Sequence, residues 1–184
     1  MPRIPVPALD EVPPASKELL EWIVQKQPTG KVINMQAQLA VAPATLAGYV
    51  ALRRTTEEHG TLDQRTRTAV LAMSGAALGV PYVERLTARI ASAAGWQPDE
   101  IVRFTEGLGS GDERLDSLLA VVGEAGKNVG LVDDTAWKRA AHNGWTPEQL
   151  VEAFAYFSIA VYSAYFTNFA ATELDVPSVL AAKA

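Results

Sequence analysis

Five polar side chains that could bind or transform a small molecule lie within one short segment, from Tyr82 to Arg89. If this segment is helical, Arg85 and Arg89 share a face at a spacing of four residues, and could hold a substrate carboxylate through charge-assisted hydrogen bonds. Glu84 and Thr87, three residues apart, share another face. Tyr82 or Glu84 could transfer a proton if burial moved its pKa toward neutrality. The segment therefore predicts a site for a small acidic metabolite.

The same charged residues also fit a helix face that is simply solvated. Glu84, Arg85 and Arg89 would then interact with water alone. The two histidines, His59 and His142, each lie near a glycine that ends a predicted helix, where an imidazole interacts favourably with the helix dipole. The residue types alone leave both interpretations of the segment open.

Cysteine is absent from the 184 residues, and the two histidines are far apart in sequence. Without a thiolate the chain cannot form a disulfide, use a peroxidatic thiol or hold a cysteine-ligated metal. A histidine-rich zinc or iron site is equally unexpected within one chain. The composition therefore predicts that the protein uses neither a metal nor a cofactor.

Charge and hydropathy exclude other classes of partner. The net charge is −5, so no basic excess is present to neutralise nucleic-acid phosphates. The N-terminus lacks the apolar region of a secretory signal, and the apolar stretch 154–164 is too short to span a bilayer. We therefore expect a cytoplasmic protein that binds neither nucleic acid nor membrane.

The sequence predicts an all-α fold, because no run of residues alternates in the manner of a β-strand. Five prolines within residues 1–14 predict an extended arm, lying across its own domain or a neighbouring subunit, and 15–184 form a single domain. Start and stop residues place helices at 16–27, with Ser16 as the N-cap, and at 31–42, 43–59, 63–79 and 81–95.

An internal repeat is the most informative local pattern. Residues 95–102, GWQPDEIV, recur 49 positions later as GWTPEQLV at 144–151. In each copy a glycine ends one helix, a proline begins the next, and two predicted helices precede the turn. The pattern favours a duplicated three-helix unit over about 62–107 and 111–172. The alternative is that such turns recur by chance in helical proteins.

The predicted last helix, over 147–174, carries aromatic and aliphatic residues on every face. A helix of this kind is buried, either in the core or in a subunit interface. Its hydroxyl groups then bond to backbone or water, or else line a pocket. Together with the proline-rich arm, this helix predicts a homo-oligomer.

Residues 62–104 resemble the carboxymuconolactone decarboxylase and alkylhydroperoxidase AhpD-like superfamily. The resemblance rests on LDQRTR at 62–67, the alanine-rich stretch 70–79, Tyr82, AAGW at 93–96 and PDEI at 98–101. RIP at 3–5 and TELDVP at 172–177 are also similar. The resemblance implies an all-α bundle, often assembled as trimers or hexamers, with its active site near subunit contacts.

The chain departs from this superfamily at its reactive positions. Peroxidase members carry a Cys-x-x-Cys-x-x-x-His pattern where this chain has Val80, Val83 and Thr87, and their upstream acid falls at about Thr68. Decarboxylase members often keep an acid and a histidine at the second and third of these positions. Some relatives carry an Asn-His pair of which only Asn168 remains. The resemblance therefore implies the fold without the usual chemistry, and without thiol peroxidase activity.

The function predicted from the sequence is a cofactor-free lyase, isomerase or cyclase acting on a small organic acid or aromatic metabolite. Tyr82, Glu84 and Thr87 are the predicted catalytic residues, and Arg85, Arg89 and Asn168 the predicted substrate-binding residues. Because relatives hold their reactive groups beside this segment, Tyr82, Thr87 and Asn168 are expected around one cavity. A noncatalytic binding or structural protein is the alternative, and a relative that keeps only the peroxidase fold is a third.

Overall fold

A computed structural model describes residues 1–180, and within them the chain forms nine α-helices and no strand. The predicted all-α fold is therefore confirmed. The helices are α1 (Pro14–Lys26), α2 (Asn34–Ala40), α3 (Pro43–His59), α4 (Gln64–Leu78), α5 (Pro81–Ala93), α6 (Pro98–Thr105), α7 (Glu113–Lys127), α8 (Asp134–His142) and α9 (Pro147–Ala170). The end of the predicted domain, 181–184, lies outside the described residues.

Proline and aspartate explain where most helices begin. Five helices start with a proline, whose missing N–H is not needed in the first turn. Asp63, Asp112 and Asp133 precede α4, α7 and α8, and each carboxylate accepts a hydrogen bond from a backbone N–H of the first turn. Gly79, with a φ of 64°, ends α4 in the left-handed conformation that glycine adopts without strain.

The predicted ends at 42 and 95 lie two residues beyond Ala40 and Ala93, and three further predicted helix limits are wrong because a side chain bonds elsewhere. Ser16 lies inside α1 and donates to the carbonyl of Ala40 at 2.7 Å, so it does not cap the helix. The second helix begins only at Asn34, because Gln36 Oε1 accepts from the N–H of Ile33 and caps it there. The last helix ends at Ala170, after which Thr172 donates to Gln38 Oε1 at 2.6 Å.

α4 lies at the centre of the bundle and packs against α5, α6, α7 and α9. Glycines permit the close approach. A Cβ atom on Gly126 of α7 would lie 2.6 Å from Cβ of Ala77, and one on Gly75 would lie 3.1 Å from the carbonyl oxygen of Val83. Small residues at these contacts therefore allow α5 and α7 to pack closely against α4.

The N-terminal arm lies on its own domain, against the end of α9. The backbone N–H of Arg3 donates to the carbonyl of Ala170 at 2.8 Å. The Arg3 guanidinium donates to the carbonyls of Asn168 and Phe169, at 3.1 and 2.9 Å. This cation satisfies terminal carbonyls of α9, where the helix dipole favours positive charge.

The same arginine–tryptophan contact occurs in both halves of the bundle. The Arg65 guanidinium lies 3.5 Å from the ring centroid of Trp96, and that of Arg114 lies 3.8 Å from the ring of Trp145. Each indole N–H donates to the backbone carbonyl of its arginine, at 3.0 and 2.7 Å. The two contacts are related by the 49-residue offset of the sequence repeat. That the two halves arose by duplication stays a prediction.

α9 has one buried face and one exposed aromatic face. Phe154, Tyr165 and Phe169 are 60%, 63% and 69% exposed, whereas Tyr156 and Ile159 are buried. With 24 residues, α9 is long and apolar enough to cross a membrane, so the expectation drawn from 154–164 alone underestimated its length. More than half of its apolar window is packed inside the fold, as in the core helix of a soluble protein.

Candidate functional site

A cavity of about 410 Å³ lies between α3, α4, α5 and α9, with the end of α1 at its edge. This volume is in the range of small-molecule sites. Its polar lining comprises Gln25, Lys26, Gln27, Tyr49, Arg53, Glu57, Gln64, Arg67, Thr68, Thr87, Tyr156 and Ser163. Its apolar lining includes Leu71, Val83, Leu86, Ile90 and Ile159. Convergent polar groups beside an apolar wall are the usual composition of a ligand site.

The cavity includes three of the four positions to which the resemblance assigned reactive groups. Thr68, Val83 and Thr87 line it, whereas Val80 does not. Both threonine hydroxyls donate within their own helices, Thr68 to the carbonyl of Gln64 at 2.9 Å and Thr87 to that of Val83 at 2.8 Å. The two hydroxyls can still accept a hydrogen bond from a ligand, but their protons are already used.

Tyr156 presents the least satisfied polar atom of the cavity. The residue is 3% exposed, and its Oη has no partner of good hydrogen-bond geometry within residues 1–180. Burial raises the pKa of Tyr156, the nearby Arg67 guanidinium opposes this, and Glu152 and Glu57 raise the pKa further. The net shift is upward, so the phenol is neutral at physiological pH and can donate a proton.

Arg53 and Glu57 form the charged pair of the cavity. They lie one turn apart on α3, with Arg53 Nη2 3.7 Å from Glu57 Oε1, and their side chains are 11% and 28% exposed. The Arg53 guanidinium also lies over the rings of Trp22 and Tyr49, at 5.6 and 5.8 Å from their centroids. These contacts hold Arg53 and so orient the carboxylate of Glu57.

The cavity is positively charged in an acidic protein. Lys26, Arg53 and Arg67 line it against the single carboxylate of Glu57, whereas the whole chain carries a net charge of −5. Arg53 is paired with Glu57, and no carboxylate among residues 1–180 forms a salt bridge with Arg67. A cluster of cations enclosed by apolar walls attracts small anions. Within the described chain, no group of three or more acidic or histidine side chains could hold a metal ion.

Tyr82, a predicted catalytic residue, lies outside this cavity. Its hydroxyl is buried, accepts from the N–H of Met35 at 3.2 Å and donates to Asp175 Oδ1 at 2.7 Å. Burial raises the pKa of Tyr82 far above its ordinary value, and Asp175 adds to the shift. Asp175 also accepts from the N–H of Asn34 at 3.0 Å. Tyr82 thus ties the C-terminal segment to the start of α2.

The structure does not bring the remaining predicted site residues together. Of these residues only Thr87 lines the cavity, where it is buried, and neither Tyr82 nor Asn168 lines the cavity with it. Arg85 and Asn168 are exposed, and Glu84 and Arg89 are half-buried. Catalytic or binding roles for these residues stay predictions, and their placement adds no support to them.

Four cavity residues were missed as site candidates, although the sequence held a signal for each. Arg53 and Glu57 have the four-residue spacing of a helical ion pair. Arg67 belongs to the segment 62–67 that carries the resemblance. Tyr156 lies in the last helix, whose hydroxyls were considered as a possible pocket lining. Only the packing of α4 against α9 shows that Arg67 and Tyr156 share one cavity.

Comparison with known proteins identifies the fold. No protein-family model and no curated protein matches the sequence. Among solved structures, a cysteine-to-alanine variant of the debrominase Bmp8 in complex with 2,3,4-tribromopyrrole matches with a TM-score of 0.81 and 15% identity, over 94% of this chain and 91% of the other. A peroxidase-related AhpD-core protein from Ralstonia eutropha JMP134 matches with a TM-score of 0.80 and 18% identity, over 95% and 92%.

A further peroxidase-related protein, from Silicibacter sp. TM1040, matches with a TM-score of 0.77 and 11% identity, over 92% of this chain and 88% of that one. The chain therefore has the AhpD-like fold over nearly its whole length, and the resemblance predicted from its sequence is confirmed at that level. It has this fold without any cysteine.

Proposed function

We propose that this protein is a cofactor-free lyase, isomerase or cyclase that acts on a small organic acid or aromatic metabolite in the cavity between α3, α4, α5 and α9. The observation that carries the proposal is the buried, unpartnered hydroxyl of Tyr156 beside Arg67. A buried polar group without a partner is costly to the fold, and such groups concentrate at functional sites.

The cavity contains an acid and a base suited to proton transfer. The neutral phenol of Tyr156 and the cation of Arg67 would stabilise negative charge on a substrate oxygen. The Glu57 carboxylate would take a proton from a neighbouring carbon, and the electron pair of that C–H bond would move toward the stabilised oxygen. Return of the proton to a different carbon completes an isomerisation. Such a reaction is redox-neutral and needs no cofactor.

The fold neighbours support a small-molecule substrate. Bmp8 is a debrominase solved with a brominated pyrrole, a small aromatic ring. Its chemistry does not transfer, because the sequence identity is 15% and this chain has no cysteine. For the same reason we expect no dithiol-dependent reduction of hydroperoxides, a reaction in which a thiolate is the nucleophile.

A turnover screen tests the proposal. The purified protein is incubated with a library of small organic acids and aromatic metabolites, and each is followed by mass spectrometry for isomerisation or cleavage. We expect at least one compound to be transformed, and transformed about 100-fold more slowly by Tyr156→Phe. Arg103→Gln, which removes an exposed arginine of α6 away from the cavity, is the control and should keep the wild-type rate. Equal rates for wild type and Tyr156→Phe would contradict the proposal.

A noncatalytic binding protein is the second candidate. It is favoured by the threonine hydroxyls of the cavity, whose protons are used by their own helices, and by the loss of the superfamily's reactive residues. Binding of a library member without any transformation would support this alternative.

We also propose that the exposed aromatic face of α9 binds a second copy of this chain. A shallow groove on this face is lined by residues that carry no charge: the exposed Phe154, Tyr165 and Phe169, the buried Phe157, and Ser158, Val161, Tyr162 and Phe166. An uncharged aromatic surface carries no charge that would repel another copy, and it is suited to the trimer or hexamer that the resemblance implies. Exposed patches of this kind mark interaction sites in soluble proteins.

A further inference from the structure

Lys26 lies exposed at the edge of the cavity, and of the two arginines that line the cavity only Arg67 has no anionic partner among the described residues. Arg53 is paired with Glu57, but Arg67 forms no salt bridge within residues 1–180. The hydroxyl of Tyr156 lies close enough to interact with this guanidinium, although the contact lacks good hydrogen-bond geometry. The phenol oxygen can accept from Arg67, so the phenol proton and the remaining N–H groups of Arg67 are the donors left for a ligand.

We infer that Arg67 and Tyr156 form a subsite for the carboxylate of a small, largely apolar organic acid. This inference rests on the proposed function for the identity of the cavity, and narrows its substrate class to monocarboxylates. A carboxylate has two oxygens and about four acceptor positions, so it can accept from the guanidinium and from the phenol at once. Both unsatisfied donors of the cavity would then be satisfied by one group.

The apolar side chains of the cavity determine which groups the rest of the ligand can carry. Leu71, Leu86, Ile90 and Ile159 line the same cavity. Apolar side chains of this kind bind a ring or a short alkyl chain by removing its surface from water. The volume of about 410 Å³ is suited to a molecule of that size.

A carboxylate fits better than a phosphate. A phosphate dianion carries more charge and more acceptor oxygens than one guanidinium and one phenol can satisfy. Glu57, on the same cavity, repels a dianion more strongly than a monoanion. The guanidinium of Arg67 and the phenol of Tyr156, taken as one subsite, therefore favour a single negative charge.

The test compares carboxylates with their uncharged amides. Dissociation constants are measured by calorimetry for benzoate, phenylacetate and hexanoate, and for benzamide, phenylacetamide and hexanamide. Wild type should bind at least one carboxylate about tenfold or more tightly than its amide. Arg67→Gln should abolish that preference, Arg67→Lys should restore part of it, and Tyr156→Phe should reduce it severalfold.

One substitution serves as a control. Arg103→Gln removes an exposed arginine of α6, away from the cavity. This variant should keep the wild-type preference for the carboxylate. Circular dichroism confirms that each protein is folded.

The inference is overturned if no carboxylate binds more tightly than its amide, or if Arg67→Gln keeps the preference while folded. These outcomes are independent of turnover. If the protein prefers carboxylates but transforms no compound in the library, the carboxylate subsite is supported and the proposed enzymatic function is contradicted. If it transforms an uncharged compound but shows no preference for carboxylates, the enzymatic function is supported and the carboxylate subsite is contradicted.

Discussion

Arg67 on α4 faces the buried hydroxyl of Tyr156 on α9, and the two share one cavity without a carboxylate bonded to either. An arginine and a phenol enclosed in this way stabilise the fold little, because neither is fully satisfied. They would contribute most when a ligand supplies the missing acceptor. The hydroxyl of Tyr156 differs in this respect from that of Tyr82, which both accepts and donates a hydrogen bond within the protein.

Tyr82→Phe is expected to lower the free energy of unfolding by about 1–3 kcal/mol, because the hydroxyl donates to the carboxylate of Asp175 and accepts from the buried N–H of Met35. Chemical denaturation measures the change. Tyr162→Phe is a suitable control, since its hydroxyl makes a single longer bond, 3.3 Å from the carbonyl of Thr45. A loss for Tyr82→Phe no larger than that of the control would refute the structural role.

Tyr156→Phe, unlike Tyr82→Phe, is not expected to lower the free energy of unfolding. Removing an unpartnered buried hydroxyl leaves stability unchanged or raises it by about 1 kcal/mol, while ligand binding falls. Thermal denaturation of the ligand-free protein provides the measurement. A destabilisation as large as that of Tyr82→Phe would mean that the hydroxyl is satisfied inside the protein, and the cavity would lose its best-supported functional group.

Asp63 is expected to make the free energy of unfolding depend on pH in the acid range. Burial raises the pKa of its carboxyl, but hydrogen bonds from the N–H and hydroxyl of Thr66, each 2.9 Å long, outweigh this, so the pKa is lowered below 3.8. The stabilisation by the Asp63 carboxylate is therefore fully present above the pKa that this carboxyl has in the unfolded chain. It is lost as the pH falls through the lower pKa that the carboxyl has in the folded protein.

Asp63→Ala should cost about 1 kcal/mol at neutral pH, the usual value of an N-cap, and the difference from wild type should shrink below pH 4. Urea denaturation at a series of pH values measures it. Asp10→Ala, which removes an exposed carboxylate of the N-terminal arm, should show neither effect. A cost that stays constant down to pH 2 would contradict this assignment.

The aromatic face of α9 is expected to hold two copies together. Phe154→Glu and Phe169→Glu each place a charge on a residue that is more than half exposed, so neither should disturb the core. Both should convert the oligomer to monomer in sedimentation at micromolar concentration, because a buried unpaired carboxylate is unfavourable in an interface. Lys138→Glu, a charge change on exposed α8, is the control. A wild-type monomer at the same concentration would refute the interface.

The helices nearest the cavity could be predicted closely from the sequence, because prolines and glycines mark their ends. α3 was predicted at 43–59 and occupies Pro43–His59, and α5 begins at Pro81 as expected. The error at Ser16 has a clear cause. A serine near a helix start is usually a cap, but here the side chain reaches Ala40 of another helix. Contacts between distant segments override local preference.

The residues of the candidate site were harder to predict than the helices, because the site also depends on contacts between distant segments. Of the positions to which the resemblance assigned reactive groups, Thr68, Val83 and Thr87 line the cavity and Val80 does not, and the hydroxyl protons of the two threonines are used within their own helices. Arg67 and Tyr156 belong to helices far apart in the chain, and their proximity depends on how α4 packs against α9. Local spacing shows which residues share a helix face, and says nothing about which helix lies opposite.

The most direct measurement of the central claim is a crystal structure of the protein with the tightest-binding carboxylate. We predict that the ligand lies in the cavity, with a carboxylate oxygen about 2.7–3.2 Å from Tyr156 Oη and another at the same distance from an Arg67 guanidinium nitrogen. Its apolar part should contact Leu86 and Ile90. A ligand bound elsewhere, or a cavity filled by side chains with Tyr156 Oη bonded to a protein group, would contradict the account.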